Sequence, residues 1–97
     1  MITTLTLPDG FTAKALDAAA SALDAVADGL PFQVDDLIAG AMALKWMTTN
    51  TAQPAQTYDL LHRVRVLVNG RGFARTTEGR AEAGRLVPMV RALRAEH

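Results

Sequence analysis

The sequence predicts a mostly α fold: a compact domain of three to four helices. Three observations carry this expectation. Larger apolar residues recur at three- and four-residue spacing over most of the chain. Alanine, the best helix former, fills 18 of the 97 positions. Glycine or proline punctuates the chain at Gly29, Pro54 and Gly70, between the periodic runs. The length suits one core and not two. Residues 1–97 are therefore expected to form a single domain, with an arm at 1–10, a helical core at 12–82 and a C-terminal helix at 83–97.

Ile2 to Leu7 is β-branched and alternates imperfectly, as a short strand or extended arm would. Pro8-Asp9-Gly10 reads as a turn. From Thr12 to Asp28, Leu16, Ala19, Ala20, Leu23, Val26, Ala27 and Leu30 follow helical spacing, and Asp17, Ser21, Asp24 and Asp28 fall opposite. Thr12 is the expected N-cap and Gly29 the stop. Pro31 keeps Leu30 out of the helical region, so 30–34 is an extended link. A second helix is expected over 35–47. Asp35 and Asp36 suit its N-terminus, and Leu37, Ile38, Ala41, Met42 and Leu44 are the expected buried side. Gly40 would let another helix approach closely. Thr48 to Gln53 reads as a turn. Pro54 suits the first turn of a third helix, which runs to about Val68 and stops at Asn69-Gly70. Tyr58, Leu61, Val64/Arg65 and Val68 form one inner row, with Leu60 and Leu67 beside it, leaving Gln56, Thr57, Asp59, His62 and Arg63 mainly outside. Beyond Gly72, two readings stay open: a small β-hairpin over 73–82, or a loop into a helix capped by Thr76 or Thr77. Leu86, Val90 and Leu93 make the chain end helical, with Pro88 either starting a fresh helix or kinking a longer one. Leu16, Leu23, Leu37, Leu61 and Val64 are the expected core.

A net charge of zero hides a division. Through residue 57, two lysines face six aspartates; beyond it, eight arginines face four acidic residues, giving −4 and +4. This division suits an anionic partner for the C-terminal half, or mutual attraction of the two halves within one chain or across a dimer. The absence of cysteine excludes disulfides, thiol nucleophiles and Cys-ligated zinc. No apolar run is long enough for a membrane span, and residues 1–10 show no signal-peptide pattern, so the expected location is cytoplasmic.

The residues give little sign of catalysis. His62 has Asp59 one turn earlier but no further ligand to complete a metal site. His97 is the chain end. Ser21 has no base beside it in sequence. Asp35 and Asp36, being adjacent, point in different directions. Asn69-Gly70-Arg71-Gly72 lacks the Gly-Lys-Ser/Thr ending of a phosphate loop. No enzyme, metal or cofactor is expected. Trp46 and Met47 read as core-edge packing.

One stretch carries a resemblance: Thr57-Tyr58-Asp59-Leu60-Leu61-His62-Arg63-Val64-Arg65-Val66-Leu67-Val68-Asn69-Gly70-Arg71-Gly72-Phe73-Ala74-Arg75, followed by Thr76-Thr77-Glu78-Gly79-Arg80. It resembles the recognition helix, wing entry and wing tip of the winged helix-turn-helix family of DNA-binding proteins, over about residues 12–82. The resemblance implies a small transcriptional regulator that binds double-stranded DNA with helix 54–68 and the arginine-rich loop 70–80, as a homodimer through a terminal helix. Gln53, Gln56, Thr57 and Arg63 would then reach base edges or phosphates. Arg71, Arg75 and Arg80 would neutralise phosphates or enter the minor groove. The competing expectation is a small helical interaction module, such as a phage-type inhibitor or adaptor, that binds an acidic surface of a host protein through its arginine-rich half. In that reading the acidic first helix could serve instead, by imitating nucleic acid.

Overall fold

A computed structural model describes residues 10–70 and 72–96. In order these are α1 (Phe11–Ala27), α2 (Val34–Asn50), α3 (Ala55–Asn69), a single 3-10 turn (Phe73–Arg75) and α4 (Thr77–Ala95). The expected arm or strand at 2–7 lies outside the described residues, as do Arg71 and His97.

α1 is the centre of the fold and packs on both α4 and α2. Its alanines make this possible. Ala15, Ala19, Ala20 and Ala22 are buried beside Leu16, Leu23 and Val26, so two helices can lie against one. At the α1–α2 crossing, a Cβ on Gly40 would overlap the Cβ of Ala19, which is the close approach that Gly40 suggested. α1 and α4 run antiparallel, as the pairings Asp17–Arg94 and Asp24–Arg91 show. α3 lies on α2 and meets α4 over a smaller interface. All five expected core residues are buried, with Leu16, Leu23, Leu37 and Val64 fully enclosed.

The ends of the elements depart from expectation in instructive ways. α1 begins after Gly10 rather than at a Thr12 cap. It ends in a Schellman motif: Gly29 takes φ +70°, its N–H donates to Val26 O, and Leu30 N–H donates to Ala25 O. Leu30 lies beyond that turn and is exposed. α2 does not stop at Met47. Thr48 Oγ1 donates to Leu44 O, Asn50 Nδ2 to Trp46 O and Thr51 Oγ1 to Met47 O. The polar residues read as a turn thus bond back onto carbonyls of the last turns, beside backbone bonds such as Thr51 N–H to Met47 O, and the helix runs to Asn50. Only Thr51–Pro54 remain to join α2 to α3. The buried side of α2 is Leu37, Gly40, Ala43, Leu44 and Met47, while Ile38 and Met42 face out.

The hairpin over 73–82 does not form, and no strand occurs among the described residues. Ala81, Glu82 and Ala83 prefer helix, and Thr76 supplies the start: its Oγ1 accepts from Gly79 N–H at 3.0 Å. The terminal helix therefore begins at residue 77 rather than 83. Pro88 lies inside it, on the exposed side, with no N–H to offer the Gly84 carbonyl. The wing is thus replaced by a capped helix. Thr76→Ala is expected to cost about 1 kcal/mol, measured as a urea-unfolding midpoint shift at constant slope. No shift would mean that the cap contributes nothing to α4.

Candidate interaction surface

The arginine-rich half meets its own chain before it meets anything else. Arg63 Nε and Nη2 grip both oxygens of Glu82 at 3.0 and 2.5 Å, a bidentate clamp between α3 and α4. Arg63 Nη1 lies 3.4 Å from Asp59 Oδ2, and Arg85 Nε donates to Glu82 at 3.2 Å. Arg91 pairs with Asp24 at 3.5 Å and Arg94 with Asp17 at 3.1 Å. Arg91 and Arg94 thus draw the basic α4 to the acidic α1, which is the within-chain form of the attraction that the charge division allowed. Among the described residues, Arg65, Arg75 and Arg80 are exposed and have no acidic partner.

The hydrogen bond from Arg63 holds the Glu82 carboxyl below its ordinary range, against the opposing effect of burial; the same clamp raises the already high Arg63 value. A depressed folded pKa means stability that is present above the unfolded carboxylate value, about 4.3, and lost as pH falls through the lower folded one. The stability gap between the wild type and Glu82→Gln is expected to be widest at neutral pH and to close in acid. Equal gaps at both ends of a pH series of urea melts would show that the clamp adds no charge-dependent stability.

The residues expected to touch DNA fall into separate groups. Gln53, Gln56 and Thr57 line an open cleft of about 320 Å³, with Leu60, Met89 and Leu93. Thr57 is only 5% exposed, and its Oγ1 donates to Gln53 Oε1 at 3.3 Å. It does not face outward, because it is the first residue of the buried line Thr57, Leu60, Leu61, Val64, Leu67. Arg63 is half-buried in its clamp rather than turned out. Tyr58, expected inside, is about half exposed and reaches back to donate to Thr48 O. Arg75 and Arg80 line a different groove of about 420 Å³, with Leu30, Phe32, Val34 and Ala74. Between Arg80 and Leu93 the helix rises roughly 20 Å, so the glutamines and the arginines line no common groove. His62 is exposed on α3, and no group of three His, Asp or Glu side chains suited to a metal comes together among the described residues. No helix is long and apolar enough to cross a membrane among them.

A feature that the sequence reading missed is more continuous. Val34, Ile38 and Met42 are 47%, 38% and 57% exposed, on successive turns of α2. Leu30, 56% exposed, precedes them in the link, and Trp46 follows, half-buried. The i, i+4, i+8 spacing was visible, but α2 is apolar on nearly every side, so the spacing did not say which side lies outside. No family model matches the chain, and no curated protein or solved structure matches it significantly.

Proposed function

We propose that the chain is a small helical protein-interaction module whose exposed α2 face docks on a partner polypeptide. The line of Val34, Ile38 and Met42, continued by Leu30, carries this reading. Single exposed apolar side chains are ordinary, whereas a continuous line of them marks a surface that is covered in use. Magnitudes favour it over the arginines. Burying such a side chain fully is worth about 1.5–3 kcal/mol, and roughly half of that remains available at each of these positions. An exposed ion pair contributes only about 0–1 kcal/mol.

The test compares proteins retained from nuclease-treated lysate by the wild-type chain and by Ile38→Asp/Met42→Asp. Both positions are exposed, so the variant is expected to keep the wild-type helical circular dichroism and to lose the retained partner. Retention unchanged by the double substitution would sink the reading.

A second reading, binding to duplex DNA, is favoured by one specific observation: Arg65, Arg75 and Arg80 have no acidic partner among the described residues. It needs no wing, and the four-residue connection Thr51–Pro54 between α2 and α3 is compatible with a helix-turn-helix. In that case duplex affinity falls steeply as salt rises, and Arg75→Ala/Arg80→Ala weakens all sequences about equally. Changing Gln56 would instead alter sequence preference.

A further inference from the structure

We infer that the occupant of the α2 face is a second copy of this chain, packed antiparallel across a two-fold axis at the level of residue 40. This rests on the reading of α2 as a docking face and names its partner. The face has a two-fold symmetry of its own about residue 40. Val34 and Trp46 lie equally far from residue 40 along the helix, and so do Ile38 and Met42. An antiparallel second copy therefore sets Val34 beside Trp46 and Ile38 beside Met42. Asp35 and Lys45 form a third such pair. Both are exposed, both have no ion-pair partner among the described residues, and their charges are opposite. A two-fold interface is self-complementary, so each pairing occurs twice.

Charge also selects the orientation. A parallel pairing would bring the Asp35 and Asp36 ends of the two helices together, like against like. The antiparallel one brings Asp35 to the partner's Lys45.

The experiment is sedimentation velocity on the full chain, with charge reversals. The wild type is expected to form a dimer that dissociates on dilution. Lys45→Glu alone and Asp35→Lys alone are each expected to raise the dissociation constant about tenfold, since each reversal acts at two symmetric places. Asp35→Lys and Lys45→Glu together are expected to return it close to the wild-type value, which also shows that both substitutions fold. A chain that is monomeric at every concentration overturns the inference. So does a dimer that ignores both reversals, or one that the double variant fails to restore. A monomeric chain that still loses a foreign protein on Ile38→Asp/Met42→Asp overturns self-association and leaves the docking face standing. A monomeric chain whose retention is also unchanged by those substitutions removes the docking face as well.

Discussion

Gly79→Ala is expected to destabilise the protein by about 3 kcal/mol or more, at the upper end of what overpacking costs. General helix propensity predicts the opposite sign. Alanine in a helix interior is better than glycine by about 1 kcal/mol, and Gly79 lies in the first turn of α4. Its surroundings decide against propensity. A Cβ there would overlap the carbonyl oxygen of Phe73 and come within 2.7 Å of its carbon and 3.0 Å of Ala74 Cα. These are backbone atoms of the 3-10 turn and cannot swing aside as a side chain would. The same turn is tied to α4 by the Thr76 cap, so relief of the overlap would loosen the cap. Gly84→Ala is the control on the same helix: its Cβ would meet only Ala27 Cβ, at an ordinary 3.7 Å. It is expected to stabilise by about 0.5–1 kcal/mol. Urea unfolding of the two variants reads both signs. Stabilisation by both would show that α4 does not start against the 3-10 turn.

Leu23→Ala is expected to cost about 2–5 kcal/mol. Leu23 is fully enclosed, at 0% exposure, in the helix that contacts both α2 and α4. Its neighbours on α1 are largely alanines, which are too short to fill the space it would leave. For a domain stable by about 5–15 kcal/mol in total, this approaches unfolding. Leu30→Ala removes the same atoms from an exposed position and is expected to change stability by less than about 0.5 kcal/mol. Thermal melts of the pair would separate burial from composition, and similar midpoints would mean that α1 is not held as described.

What could be read from the residues beforehand was local. The spacing of Leu16, Leu23 and Val26 marks α1 because its other face is aspartate and serine. Pro54 and Gly70 bracket α3 for reasons of backbone geometry that need no tertiary context. The reading stayed open where two local signals competed, and the structure takes the second of them, the helix capped by Thr76. Around residues 73–82, glycines and arginines favour a hairpin, while Thr76 with Ala81, Glu82 and Ala83 favours a capped helix. Packing of α4 on α1 accompanies the helical outcome. At α2 the reading failed: with Leu37, Ile38, Met42 and Leu44 spread around it, periodicity cannot choose a face. Gly40 and Ala43 mark it instead, because the side of small residues is where α1 comes close. The outward Thr57 was an error of extent, since the buried line of α3 reaches back one more turn. The ion pairs between α1 and α4 lay beyond any local signal, because Asp24 and Arg91 are 67 positions apart.

The antiparallel seating of α1 against α4 sets an order of events during synthesis. α1 emerges from the ribosome first, and the surface it shares most extensively belongs to the helix that emerges last. Until α4 arrives, the alanine-lined side of α1 has only α2 to cover it. A nascent chain can settle a helical pair locally, but closure of the domain waits on a contact that is far apart in sequence. Such contacts slow folding, and the interval leaves apolar surface open to association with neighbouring chains.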